Sequence, residues 1–291
     1  MHQFGLDVGV GFVTAAILAL SAVAFTLEYA VSRVANLAHG ELLTIGAFAA
    51  WLVQRDTGSV ILAAASAAVI GGLAGVATNV FFIERFSRKP VLVTLIASLG
   101  LSLILQNVLV MIFGAATKSY KINQGAPHHY GPFVFTRAEL LVMLSAVVVA
   151  IALYGLLQWT KFGRALRAVA ENRDLARASG VPATRVITLT WLLAGVIAGF
   201  AGFVLAENVG AFSPSFGNSF LLITITATVA GGLGRPYGTL IGAVLVGLAL
   251  ELAGSYTNSS YELAIAFAML VALMLLRPNG LLAGRGRLVR V

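Results

Sequence analysis

The sequence contains no cysteine. Disulfides, thiol nucleophiles and cysteine-ligated metals are therefore excluded, and cysteine usage says nothing about redox compartment. Charge is nearly as scarce. Asp, Glu, Lys and Arg make up 10% of the 291 residues while 59% are hydrophobic, against about 25% and roughly 45–50% in ordinary soluble domains. That balance excludes a soluble globular fold. Catalytic and nucleotide signatures are also missing. No G-x-x-x-x-G-K-[ST] occurs, so the chain has no phosphate loop with which to hydrolyse ATP. Neither H-E-x-x-H nor G-x-S-x-G is present, which removes the commonest zinc and serine hydrolase motifs. The net charge of +8 would suit nucleic acid on a soluble basic module, but the apolar runs leave no length for one, so no nucleic-acid partner is expected.

What fills the chain is a series of apolar segments, at roughly 9–31, 40–54, 60–83, 93–115, 139–159, 186–207, 219–231, 236–253 and 259–276. A helix needs about 20 apolar residues to cross the hydrocarbon core. The expectation is an all-α, polytopic membrane protein with eight or nine transmembrane or partly re-entrant helices, forming one permease-like domain over 1–291. Segments 40–54 and 219–231 are short for an upright span and adjoin glycines, as broken or re-entrant helices do. The N-terminus carries Asp7 and no basic n-region, so the first segment reads as a retained membrane helix and not a removable signal.

Lys and Arg mark the cytoplasmic loops. With the loop at 160–185 inside, nine alternating crossings put fifteen of the 19 basic side chains on that side. Arg55, Lys118, Lys121 and Arg137 remain outside. The N-terminus is then external and the C-terminus cytoplasmic. The external stretch Ala116 to Ala138, with KINQGAPHHYGPF, reads as an ordered connection; His128 and His129 lack a third metal-type ligand nearby, so no metal site is expected. Small residues four apart, at Gly71 and Gly75, Gly195 and Gly199, and Gly238 and Gly242, suit close helix packing in lipid. HGELLTIGAFAA from His39 and PYGTLIGAVLVG from Pro236 look alike, and paired segments of this kind in two halves of a chain point to a transport pathway.

The remaining charge is concentrated. Lys161 to Arg177 holds seven of the 19 basic and 11 acidic side chains. Arg164, Arg167, Glu171 and Asp174 or Leu175 recur at three and four residues, along one helical stripe. Gly163 is expected to precede this helix, and Gly180 with Pro182 to stop it. Two readings follow from the residues: a solvated amphipathic loop whose arginines meet anionic headgroups, each worth about 1 kcal/mol, or a docking knob for a cytoplasmic partner. A second stretch, Ser32 to Phe48, places Arg33, Asn36, His39 and Glu41 between two apolar runs with hardly any loop. Polar groups at that depth mark functional sites; alternatively Asn36 caps a helix and Glu41 sits in its first turn, favoured by the dipole. Glu28, Glu207 and Glu251 lie in or at the ends of apolar spans, where they either line a polar pathway or, for the last two, face water. Asn208 to Phe220, NVGAFSPSFGNSF, offers hydroxyls and a helix end to a polar solute.

Three blocks, NLAHGELLTIGAF, TKFGRALRAVAENRDLARASGV and GGLGRPYGTLIGAVLVG followed by RPNGLL, resemble in order and spacing the shorter permease of high-affinity branched-chain amino acid ABC importers, over nearly the whole chain. The resemblance implies a multi-pass subunit of the bacterial inner membrane that is not an enzyme. It further implies cytoplasmic ATP-binding subunits, a second homologous permease and an extracytoplasmic solute-binding protein as partners, with an amino acid as solute and no cofactor. It assigns the charged stretch to the coupling segment received by the ATPase. Arg164, Arg167, Glu171, Asn172 and Gly180 occupy the matching positions. Asn36, His39 and Glu41 match the first block and become candidates for the translocation pathway. Related permeases carry urea or short amides, so the solute stays open. A proton-coupled secondary carrier working through Glu28, Glu207 or Glu251 is the competing transport reading, and an intramembrane enzyme using His39 and Glu41 the competing one from another class.

Overall fold

The computed structural model describes residues 2–86, 89–120, 125–131, 133–256, 261–276 and 280. The RPNGLL block apart from Gly280, the basic tail after it, Arg88 and Lys121 lie outside them. Six helices are long and apolar enough to cross a membrane. They belong to α1 (His2–Ser32), α3 (Val60–Thr78) continued by a π segment (Asn79–Ile83) and α4 (Glu84–Phe86), α5 (Val91–Phe113), α6 (Arg137–Trp159), α9 (Ala183–Val209) and α11 (Pro236–Tyr256). Three more apolar helices, α2 (His39–Thr57), α10 (Phe216–Gly231) and α12 (Glu262–Leu276), occupy the other expected segments. The nine apolar segments of the sequence thus each become a helix. Two short amphipathic helices, α7 (Lys161–Glu171) and α8 (Arg173–Ala178), link α6 to α9. The one sheet among the described residues is a hairpin of β1 (His128–Tyr130) and β2 (Phe133–Phe135).

The bundle is built around α1 and α9, whose most apolar windows are 72% buried, against 17% for α5 and α6. Burial of α9 follows from its small residues. A Cβ on Gly199 would lie 2.2 Å from the Ala67 carbonyl oxygen, and one on Gly195 2.4 Å from that of Gly71. Backbones in contact gain dispersion without any hydrophobic driving force, which lipid removes. Gly46 of α2 meets Gly199 from another side, and Gly238 and Gly242 of α11 meet Gly231 of α10. All three small-residue pairs expected from the sequence are therefore packing contacts. Hydroxyl bonds add to this: Thr26 of α1 and Thr239 of α11 share a 2.8 Å hydrogen bond inside the bundle.

Local chemistry sets the ends. Gly58 stops α2 at φ 68° with its N–H on the Gln54 carbonyl, and the Ser59 hydroxyl accepts from Leu62 N to start α3. Thr136 and Glu139 form a reciprocal capping box at the start of α6. The connection before α6 is ordered where described. Lys118 pairs with Phe212 through both backbone bonds, its ammonium lies over the Trp51 ring, and the Tyr120 hydroxyl donates to the Ala47 carbonyl at 2.7 Å. One end of the bundle thus carries the hairpin, and the other carries α7 and α8.

Candidate solute pathway and coupling segment

At 31 residues α1 is longer than a membrane crossing requires, and its last turn bends the chain back. The Ser32 hydroxyl donates to the Glu28 and Val34 carbonyls, while Arg33 takes φ 58°, a left-handed conformation uncommon outside glycine. Residues 34–38 then return into the bundle, and α2 begins there. Its first six residues, His39 to Thr44, are all buried. The short second segment is thus a 19-residue helix that starts within the protein.

This return brings Glu28, Asn36 and His39 together. Glu28 Oε2 accepts from Asn36 Nδ2 at 2.8 Å, and Glu28 Oε1 lies 2.7 Å from His39 Nδ1. A carboxylate oxygen accepts, so Nδ1 carries the proton; in the neutral ring Nε2 then accepts from the Ser21 hydroxyl 3.4 Å away. Ser21 in turn shares a 2.9 Å bond with Thr224 of α10, and the Phe25 ring stands edge-on to His39. Every member is shielded from solvent. One carboxylate therefore ties α1, the return segment and α2 together, and through Ser21 reaches α10. Buried charge is tolerated only with such partners.

Glu41 does not join this cluster. It points to α5, where Oε1 accepts from the Ser102 hydroxyl at 3.1 Å, and Oε2 has no partner among the described residues. The sequence groups Asn36, His39 and Glu41, but Glu41 is turned away from the other two, since positions 39 and 41 are two residues apart and lie about 200° apart around α2. Asn36 is not the helix cap either. Ala38 holds that position without a side-chain bond, and Asn36 Oδ1 accepts from Ala38 N as a local turn. Of the two glutamates read as either lining a polar pathway or facing water, Glu207 is 9% exposed, and Glu251 accepts from the Thr14 hydroxyl.

The start of α2 abuts the start of α10. Thr44 Oγ1 donates to the Gly40 carbonyl and accepts from Gly217 N, each at 3.1 Å, and a Cβ on Gly217 would come within 1.9 Å of the Gly40 oxygen. The two similar sequence blocks consequently meet α10 at opposite ends, Gly40 at its first turn and Gly238 at its last. Beside the first turn lies a cavity of about 290 Å³. Ile17, Leu205, Phe216 and Phe220 give it apolar walls, and Asn208 and Ser219 add polar groups. Four of these six come from the Asn208 to Phe220 stretch.

The charged stretch lies at the other end. Thr160 caps α7, its hydroxyl accepting from Gly163 N, so Gly163 is in the first turn and not ahead of the helix as expected. A Cβ there would sit 2.2 Å from the Leu157 oxygen, which is why the corner from α6 takes no side chain. Leu166 and Val169 are buried toward the bundle, whereas Arg164, Arg167, Glu171, Asn172 and Gly180 are exposed. Arginines anchor the segment: Arg167 donates to the Leu157 carbonyl, Arg33 to that of Ala170, and Arg173 of α8 pairs with Glu84 of α4 at 3.5 Å. The stripe expected to run on to Asp174 or Leu175 is broken. Asn172 is extended, at φ −150°, and its side chain accepts from Asp174 N and Leu175 N at 3.0 Å to cap α8. Gly180 takes φ 82° and closes α8, with Val181 N on the Ala176 carbonyl.

Residues 9–274 match the family described as branched-chain amino acid transport system / permease component. The chain is similar to the high-affinity branched-chain amino acid transport system permease protein LivH of Escherichia coli K12, 29% identical over 94% of this chain and 93% of that protein. It is also similar to BraD of Pseudomonas aeruginosa, named as a permease protein of the same kind of system, 28% identical over 97% and 96%. The ribose import permease protein RbsC of Escherichia coli K12 is 30% identical over 90% of this chain and 82% of its own length. No solved structure matches.

Proposed function

Because the chain belongs to the family of branched-chain amino acid transport system permease components, we propose that it is a membrane-spanning subunit of an ATP-binding-cassette importer for branched-chain or related amino acids. Its partners are cytoplasmic ATP-binding subunits, a second homologous permease and an extracytoplasmic binding protein that delivers solute. The subunit sits in a bacterial inner membrane, with α7, α8 and the C-terminus cytoplasmic. The observation that carries this reading is the coupling segment: α7 seats its apolar face on the bundle and turns Arg164, Arg167 and Glu171 outward.

Movement applied to that face reaches α6 through the Gly163 corner and Arg167, α1 through Arg33, and α9 through the packed face. Asn172 and Gly180 bound α8 so that the segment moves as two short rigid pieces. ATP binding by the partner drives the change only if the partner grips one arrangement more tightly than the other. Near the hairpin end, the apolar cavity at Phe216 and Phe220 suits a branched aliphatic side chain. In this reading Asn36 and His39 act with Glu28 to hold the start of α2 beside the pathway, and Glu41 offers it a carboxylate oxygen.

The test is charge reversal at Arg164 and Glu171 together. Uptake of leucine by the reconstituted importer should fall at least tenfold, with ATPase association lost and membrane insertion intact. Unchanged association and uptake would reduce α7 to a solvated surface. Leucine uptake by this chain alone in liposomes without ATP would instead support a secondary carrier, with the buried Glu28–His39 pair as its proton site.

A further inference from the structure

Beneath the coupling segment lies a second cavity, of about 300 Å³, at the lower end of the range for small-molecule sites of about 300–1,000 Å³. Five parts of the chain enclose it: the end of α1, the π segment with α4, the start of α5, α7 with α8, and α9. The function derived above uses two of its wall residues, Arg33 and Glu171, but gives the space between them no role. Arg33, Lys89 and Arg173 bring positive charge to its walls, Glu84 and Glu171 negative charge, and Ile83 and Ile187 are among its apolar residues.

Two further wall residues carry unmet hydrogen-bonding capacity. The side-chain N–H groups of Asn79 and Trp191 have no partner among the described residues, although Asn79 is 1% and Trp191 0% exposed. A buried donor left unpaired is costly and calls for an explanation. Asn79 opens the π segment, a helical defect frequently found at functional sites. Arg33, at φ 58°, is the one non-glycine residue with positive φ among those described, and such backbone persists where the surroundings hold it.

We propose that this cavity binds a free amino acid from the cytoplasmic side and that its occupation slows import. Glu84 and Arg173 already pair with each other at 3.5 Å, so the carboxylate takes the N–H donors with Arg33 and Lys89, the ammonium takes a Glu171 oxygen, and an aliphatic side chain lies against Ile83 and Ile187. One excess basic group over the acids favours a zwitterion entering carboxylate first. A molecule seated there touches α7 and α8 on one side and α1 and α5 on the other, so it favours the arrangement it binds and opposes departure from it. The proposal rests on the reading of the chain as an amino acid importer subunit and adds feedback by the imported solute.

The test has two arms. In the first, radiolabelled L-leucine is bound to the purified full-length chain in detergent without partners. Saturable binding is expected, weakened at least tenfold by Lys89→Glu and by Trp191→Phe, and competed by valine but not by 4-methylpentanoate, which lacks the ammonium. Lys89 is exposed, so its variant reports even where Trp191→Phe fails to fold. In the second arm, the whole importer in liposomes is loaded with leucine inside. Initial uptake should fall as internal leucine rises, and Lys89→Glu should abolish that fall while leaving uptake into empty liposomes in place. Import without leucine binding to the chain, or inhibition unchanged in Lys89→Glu, overturns the site. A phospholipid retained by the wild-type chain and lost in Lys89→Glu overturns it in favour of a headgroup phosphate. Leucine bound at this cavity by a chain whose importer takes up no branched-chain amino acid overturns the functional reading and leaves the site standing.

Discussion

Glu28 shows how a single side chain decides local architecture in an apolar bundle. Its two oxygens hold Asn36 and His39, so replacing it with Leu strands a buried amide donor and an imidazole. Loss of one partner from a buried pair costs about 3–5 kcal/mol, whereas replacing both by apolar groups is often near neutral. Glu28→Leu should therefore lower folded yield and thermal stability in detergent sharply, and adding His39→Leu should recover much of the loss. Additive losses from the two substitutions would mean that the pair is not coupled. Gly217 makes a second case, because a methyl group there meets the Gly40 backbone, which cannot retract as a side chain can. Gly217→Ala should destabilise by about 1–3 kcal/mol, while Gly100→Ala, with nothing within 4 Å, should be neutral or slightly stabilising; equal melting temperatures would contradict the close approach.

At the scale of elements, the division of the proposed coupling segment at Asn172 has a measurable consequence. The side chain caps α8 through two backbone N–H groups, so Asn172→Ala should cost about 1 kcal/mol of local stability. ATP-dependent uptake should fall several-fold, and Asn172→Asp, which keeps the acceptor oxygen, should restore it. If alanine and aspartate behave alike in the uptake assay, the cap does not matter to coupling. The break also illustrates what could be read from sequence. Hydrophobic runs announced all nine apolar helices, because burial in lipid or bundle needs long apolar stretches. Spacing of three and four from Arg164 to Asp174 looked like one helix, because charge periodicity does not reveal the extended residue that interrupts it. Asn followed by Arg and Asp was the available signal, since Asn favours a helix start with an acid in the first turn. The polar cluster was less legible: His39 and Glu28 are 11 residues apart across a turn that re-enters the bundle, and Ser102 is 61 residues from Glu41. Asn79 and Trp191 gave no signal, since each lies within a span where packing is the ordinary role.

At the scale of the whole molecule, the asymmetry of charge becomes a prediction about orientation. Arg33, Glu84, Lys89, Glu171 and Arg173 gather at one end, and the turn after α2 lies at the other, joined to that charged end by the 27-residue apolar stretch Val60–Phe86. Positive residues resist translocation, so the end bearing α7 and α8 should face the cytoplasm. The absence of cysteine gives a silent background for single thiols. Thr57→Cys and Ser179→Cys both introduce the thiol at exposed positions. A membrane-impermeant maleimide added to intact cells with a permeable outer membrane should label the first and spare the second until the inner membrane is opened. The reverse pattern would invert the molecule and place the proposed coupling segment where the proposed ATPase could not reach it. Labelling of both from outside would mean that 57 and 179 share a side, which requires an even number of crossings from the three long apolar helices between them, Val60–Phe86, Val91–Phe113 and Arg137–Trp159. The expected pattern would put α7, α8 and the cavity proposed to bind an amino acid in the cytoplasmic compartment, which holds ATP.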